Sequence, residues 1–154
     1  MRVPPTALLP LAATGALLLP AAASAADVPF APGEGTYVTD GRVACIVGVQ
    51  DDGEGTVTCA GPNVYRQLWS GTRCQSWTLR GCVGERGLLS VGLGDRGRSR
   101  RDVIDGVGGA KDLARGDSAQ LGRIRAYHLR DGGFSFRNRS GHGFTLTANR
   151  LRRF

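Results

Sequence analysis

The chain has 154 residues, of which 20 are basic and 13 acidic, and its formal net charge at pH 7 is +7. With 24 glycines, 7 prolines and one methionine it is turn-rich, which favours short strands and disfavours a helical bundle. Beyond residue 26 no apolar run is long enough for a transmembrane helix, so we do not expect a membrane-spanning protein.

Residues 1–26 are predicted to be a signal peptide. Arg2 supplies a short positive region, and Leu8–Leu19 is an interrupted apolar run. Ala23-Ser24-Ala25 and Ser24-Ala25-Ala26 both satisfy the small-x-small rule for cleavage, so we expect the mature chain to start near Ala26 or Asp27. We therefore expect a secreted protein that is extracellular or associated with the cell envelope.

The chain after the cleavage site is predicted to hold one domain. Residues 27–37 contain two prolines and two glycines, and we interpret them as an extended leader without regular structure. Residues 38–154 are long enough to bury one modest core. We expect a mainly β fold, a small disulfide-stapled antiparallel sandwich or partly open barrel built from hairpins.

A first hairpin is predicted from residues 42–49 and 55–60, joined by the turn at residues 50–54. A five-residue loop brings Cys45 opposite Cys59. Opposed residues of an antiparallel pair have Cα atoms about 4.5–5.5 Å apart, within reach of a disulfide.

Cys74 and Cys82 are predicted to pair with each other across residues 75–81. Four cysteines allow three connectivities, and the sequence does not exclude the other two. An even number of cysteines after a signal peptide fits an oxidising compartment. The cysteine spacings match no usual zinc-ligand pattern, so we expect no metal.

The middle of the chain is polar and rich in glycine. Gly87–Leu93 is predicted to be a strand, and Gly94–Asp117 a long surface excursion with a short helical or strand piece at Asp102–Ile104. Gly92–Gly97 matches G-x-G-x-x-G, but the βαβ unit that a dinucleotide site requires is missing. We interpret this motif as a turn cluster and expect no cofactor.

The last 34 residues, 121–154, are predicted to form a three-stranded meander. Its strands would be residues 124–130, 133–138 and 144–147. Asp131-Gly132 between two extended runs is typical of a two-residue type I′ turn. That turn pairs Arg130 with Gly133 and places Tyr127 opposite Phe136.

Alternation along these strands predicts an aromatic inner face. The predicted inner residues are Tyr127, Leu129, Phe134 and Phe136. His128 would then lie on the solvent face. A second turn at Ser140-Gly141 would place Phe136 near Thr145.

Short motifs in both hairpins resemble a family of small secreted actinobacterial proteins of unknown function. Members carry paired-cysteine hairpins, a C-terminal Gly-His-Gly-Phe motif and a Tyr-x-x-Phe-like terminus. Residues 141–144 resemble the motif, and Phe154 resembles the last residue of that terminus. Residues 42–45 resemble the first cysteine strand, and 121–124 the start of the second hairpin. In this chain aromatic residues occupy the positions of the second hairpin's cysteines. The resemblance implies no activity.

Charge is unevenly distributed along the chain. Residues 27–62 hold six acids and one arginine, whereas residues 121–154 hold eight arginines and one acid. A basic face of this kind attracts anionic partners, although it can also be only a solvated surface. The candidate binding residues are Arg137, Arg139, His142, Arg150, Arg152 and Arg153.

We interpret the protein as a non-enzymatic binding domain with an unidentified partner. An anionic cell-wall polymer, a lipid surface and a protein are the partners left open. Nucleic acid is disfavoured, because no aromatic stacking residues alternate with the arginines.

Two alternatives remain open from the sequence. One is a secreted hydrolase that uses His142 or His128 with Asp131 or Ser140, although no catalytic set is recognisable and His142 fits a turn equally well. The other is an extracellular protease inhibitor that presents the stapled loop at residues 75–81.

Overall fold

A computed structural model describes residues 26–105 and 113–154. The predicted signal peptide, apart from its last residue, lies outside the described residues, as do residues 106–112 of the predicted excursion. The described chain is mainly β, as predicted. It forms two sheets of antiparallel hairpins with two disulfides and one short helix, and these strands do not close into a barrel.

One sheet, the N-terminal sheet, has seven strands. They are β2 (Gly35–Asp40), β3 (Val43–Val49), β4 (Gly55–Ala60), β5 (Ser76–Thr78), β6 (Gly81–Gly84), β7 (Gly87–Gly94) and β8 (Arg100–Ile104). Their order is β2-β3-β4-β7-β6-β5, with β8 paired to β7. Helix α1 (Pro62–Leu68) lies between β4 and β5 in the chain and has proline at its first position, where no backbone N–H is needed.

The other sheet, the C-terminal sheet, has six strands. They are β1 (Asp27–Pro29), β9 (Ser118–Leu121), β10 (Ile124–His128), β11 (Phe134–Asn138), β12 (Gly143–Leu146) and β13 (Leu151–Arg153). The order follows the numbering, and β1 pairs with β9 in parallel while the other pairs are antiparallel.

The predicted leader is not free of regular structure. Residues 27–29 form β1 and residues 35–37 begin β2. Proline is tolerated in β1 because this strand lies at the edge of its sheet. The leader prediction was therefore wrong, since it gave the turn residues too much weight.

The first hairpin has the predicted register. Cys45 lies opposite Cys59, and a disulfide joins them with a Cα–Cα distance of 4.0 Å. Cys74 and Cys82 form the second disulfide, with a Cα–Cα distance of 5.5 Å. Both predicted pairings are confirmed.

The hairpin between β10 and β11 has a different turn from the predicted one. Type I′ needs positive φ at both central residues, but Asp131 has a negative φ, whereas Gly132 and Gly133 have φ of 105° and 87°. Leu129 N donates to Gly133 O over 2.9 Å, which closes a three-residue loop. The predicted turn type was wrong, and the pairing moves by one residue.

A shift of one residue reverses the faces of β10. Ala126, not Tyr127, lies opposite Phe136, and His128 lies opposite Phe134. Tyr127 is 44% exposed, while His128 is buried and its ring stacks on Phe134 at 4.3 Å. The predicted positions of Tyr127 and His128 were therefore wrong, whereas both phenylalanines are buried as predicted.

The turn after β11 lies at the predicted place and is also a three-residue loop. Asn138 N donates to His142 O over 2.9 Å, and Gly141 has a φ of 80°. Phe136 consequently lies opposite Phe144, one position from its predicted neighbour.

The middle of the chain is more regular than predicted. The predicted strand at 87–93 is β7, and the short piece at 102–104 belongs to β8, which pairs with β7. Helix α1 and strands β5, β6, β9 and β13 were not predicted.

The core lies between the two sheets. Phe134, Phe136 and Phe144 of the C-terminal sheet have no exposed surface and belong to one apolar cluster with Val47 and Val57 of the N-terminal sheet. Neighbouring phenylalanine rings in this group lie 6.1 and 5.2 Å apart. Packing across both sheets fixes which turns meet at each end of the molecule.

Candidate anion-binding site at one end of the sheets

The predicted arginines are all exposed, but they do not form one face. Arg153 lies opposite the core residue Phe144. Its neighbour Arg152 therefore points to the outer face of the C-terminal sheet, because successive strand residues alternate. Arg137 lies on the same outer face, since the residues on either side of it in β11 are buried.

Arg139 and Arg150 lie at opposite ends of the C-terminal sheet. Arg139 is in the turn between β11 and β12, whereas Arg150 closes the turn between β12 and β13, where Thr147 N donates to its carbonyl over 2.9 Å. The structure therefore does not bring the predicted residues together as one face.

Two of the predicted residues, His142 and Arg153, do meet in a cavity of about 370 Å³. Arg98, Ser99 and Phe154 complete its lining. Arg98 and Ser99 come from the connection between β7 and β8, in the other sheet. They were not predicted, because the glycine motif before them was interpreted only as a turn cluster.

Asn138 holds this connection against the C-terminal sheet. Its buried side-chain amide donates to Gly94 O over 3.1 Å and to Gly97 O over 2.7 Å. Its Oδ1 accepts from His142 N at 3.1 Å. One side chain therefore positions both walls of the cavity.

Asp95 fastens the same connection from its other side. Its Oδ1 accepts hydrogen bonds from Gly55 N at 2.8 Å and from Arg123 N at 3.0 Å. The carboxylate is buried, so these bonds are shielded from water. A Cβ at Gly55 would collide with the carbonyl oxygen of Leu121, so glycine is required where the two sheets approach here.

The result is a concentration of positive charge that we call the basic end. It consists of Arg96, Arg98, Arg123, Arg139, His142 and Arg153. A second cavity of about 320 Å³ adjoins the first through Arg98 and contains Asp95 and Glu54. Arg115 and Arg125 form salt bridges with Asp40 and Asp27, and neither belongs to the basic end. Within the two described ranges, no carboxylate forms a salt bridge with Arg96, Arg98, Arg123, Arg139 or Arg153.

The two histidines have different surroundings. His128 Nδ1 lies 2.6 Å from Leu113 O, and its Nε2 lies 3.3 Å from Asp40 Oδ2, so neither nitrogen faces a hydroxyl nucleophile. His142 shares a cavity with Ser99. Within the described part of the chain no hydrogen bond joins either imidazole ring to Ser99 or to the predicted partners Asp131 and Ser140.

The described residues contain no helix long and apolar enough to cross a membrane. They also contain no group of three or more histidine, cysteine and acidic side chains arranged to hold a metal ion. Comparison of the chain with protein-family models, curated proteins and solved structures finds no match. The site is therefore interpreted from its own chemistry.

Proposed function

We propose that this protein is a secreted, non-enzymatic binding domain whose basic end engages an anionic polymer of the cell surface. The observation that carries this proposal is the convergence of Arg98, His142 and Arg153 on one cavity. Guanidinium groups bind phosphate and carboxylate oxygens through paired N–H donors, which suits repeated anionic groups on a polymer.

The charge distribution supports a polymer over a small anion. Arg96, Arg123 and Arg139 are exposed around the cavity and extend the positive surface past its rim. Several charges in a row attract a long anion more strongly than one pocket does, and salt weakens that attraction. The two disulfides are consistent with an extracellular setting.

Neither alternative from the sequence gains support from the geometry. A hydrolase would need a nucleophile activated by one of the histidines. A protease inhibitor of the kind considered would present the 75–81 loop, but its tip is a tight turn between Thr78 and Gly81. Both alternatives and the family resemblance stay predictions.

The test is co-sedimentation of the mature protein with insoluble cell-wall material and with the same material stripped of its phosphate polymers. The variant is the triple substitution R98Q/R139Q/R153Q at the basic end. The matched control is R42Q/R86Q/R150Q, which removes the same charge from exposed arginines in turns at the other end.

We expect the basic-end variant to bind at least about tenfold more weakly at low salt, and with a flatter salt dependence, because several charge contacts are lost. The control should bind within about threefold of the native protein. Equal weakening by both triple variants would mean attraction by net charge alone and would refute the proposal. Unchanged binding by the basic-end variant would do the same.

A further inference from the structure

The hairpin of β5 and β6 carries the most exposed large apolar side chains of the described chain. Leu79 is 77% exposed and Trp77 is 60% exposed. Trp77 lies opposite Cys82, and the chain turns between Thr78 and Gly81. The Cys74–Cys82 disulfide closes the base of this tip. A large apolar surface left in water usually marks a contact surface.

Neighbouring aromatic residues brace the tip without covering it. The ring of Tyr65 meets that of Trp77 edge-on at 4.9 Å, and its hydroxyl donates to Thr72 O over 2.8 Å. Arg80 donates to the hydroxyl of Tyr37 over 2.7 Å and lies over that ring. The tip is thus held in one orientation, which lowers the entropy lost on binding.

The stretch of sequence that carries the tip is cationic, as far as the exposed Glu85 that follows β6. Residues 55–84 contain no aspartate or glutamate, and they include three arginines. Arg66 in α1 and Arg73 beside the disulfide are exposed. Positive charge around exposed tryptophan and leucine is a combination that suits the interface of an anionic membrane.

We propose that this hairpin anchors the protein to a lipid surface that contains anionic headgroups. Trp77 and Leu79 enter the interfacial layer, and Arg66 and Arg73 contact the headgroups. Two side chains at a protruding turn cannot supply the roughly 800 Å² that each partner buries in a typical protein interface. They are sufficient for interfacial insertion, because tryptophan is favoured at that depth.

The experiment uses the fluorescence of Trp77 in the full mature protein. Trp69 is the other tryptophan, and its Nε1 donates to Ser90 O over 2.9 Å away from the tip. The W69F variant therefore leaves Trp77 as the reporter. It is mixed with phosphatidylcholine vesicles that lack or contain phosphatidylglycerol, and with lipids brominated along the acyl chain.

We expect a blue shift and bromine quenching with the phosphatidylglycerol vesicles. In co-sedimentation L79S should weaken binding about tenfold, because a buried leucine side chain is lost. R66Q and R73Q should each weaken it about fivefold and reduce its salt dependence. The native protein is the control for the folding of W69F, because the two proteins should bind the same vesicles equally well.

This proposal is independent of the basic end, and the variants separate the two. R98Q/R139Q/R153Q should bind vesicles as the native protein does. If that variant loses vesicle binding while L79S keeps it, the basic end and not the hairpin contacts lipid, and the proposal is refuted. The absence of both a fluorescence shift and co-sedimentation with anionic vesicles at low salt would refute it as well.

Discussion

The carboxylate of Asp40 in β2 lies 3.3 Å from Nε2 of His128 in β10, and this contact joins the two sheets. The same carboxylate accepts hydrogen bonds from the guanidinium of Arg115 and from Gly133 N. Asp95 makes an equivalent connection at the basic end, where it accepts from the N–H of Arg123. At each end, an aspartate with a buried side chain from the N-terminal sheet or its connections thus fastens a turn of the C-terminal sheet.

The stability of the protein should fall in acid because of Asp40. Burial acts to raise the pKa of Asp40, but the hydrogen bonds from Arg115 and Gly133 N, together with the His128 imidazole 3.3 Å away and the positive charge of Arg115, outweigh it and hold the pKa below its usual value of 3.8. A lowered folded-state pKa means that this carboxylate stabilises the fold above pH 3.8 and that the contribution is lost as pH falls through the folded-state value.

Urea unfolding of native protein and D40N across this pH range checks that expectation. D40N should be less stable at neutral pH by about 1.5–3 kcal/mol, because charge-assisted hydrogen bonds are lost. Its free energy of unfolding should also decline less steeply below about pH 4. Parallel curves for the two proteins would contradict the role assigned to Asp40.

Asp95 should matter for stability through its acceptor oxygen. D95A leaves the N–H groups of Gly55 and Arg123 without their partner and should cost about 2–4 kcal/mol, whereas D95N keeps an acceptor and should cost less. Chemical denaturation measures both values. Similar stability of the two variants would show that these hydrogen bonds contribute little.

The register of β10 predicts a large and a small effect on stability at neighbouring positions. Ala126 is fully buried opposite Phe136, so A126L should overpack the core and cost about 1–3 kcal/mol. Tyr127 is exposed, and Y127T should change stability by no more than about 0.5 kcal/mol. Thermal unfolding distinguishes this register from the shifted one, which would reverse the order of the two effects.

The two disulfides should differ in their response to reductant. Cys45 and Cys59 have no exposed surface, whereas Cys74 is half-buried beside the exposed tip. Access limits thiol attack, so Cys74–Cys82 should be reduced first under native conditions. Mass spectrometry after alkylation gives the order. C45A/C59A should cost about 3 kcal/mol in unfolding free energy, because the unfolded chain gains freedom.

Local patterns were sufficient for the disulfides. The five-residue length of the loop between two predicted strands is sufficient to place Cys45 opposite Cys59. No contact between distant parts of the chain is needed for this prediction. The same reasoning failed at Asp131. Turn type depends on backbone angles, and the positive φ values can fall at Asp131-Gly132 or at Gly132-Gly133. Because the loop has three residues and not the predicted two, every pairing in β10 differs from the prediction by one residue.

The candidate site was predictable only in part. His142 and Arg153 lie in the basic C-terminal segment, and composition alone indicates them. Arg98 reaches the same cavity through the hydrogen bonds of Asn138 to Gly94 and Gly97, which are 44 and 41 residues away in the chain. Pairings over such separations leave no periodic signal in the sequence. The polar side chains of Asn138 and Asp95, each flanked by glycine-rich turns, were the available hint.

The position of β1 determines when the C-terminal sheet can be completed. Asp27 meets Ser118, which follows it by 91 positions. If the chain emerges from its N-terminus first, β1 has no partner until residues 118–120 of the 154 have followed. The β1 edge of the C-terminal sheet therefore cannot close before β9 is available, and the segment next to the predicted cleavage site lacks this pairing until then.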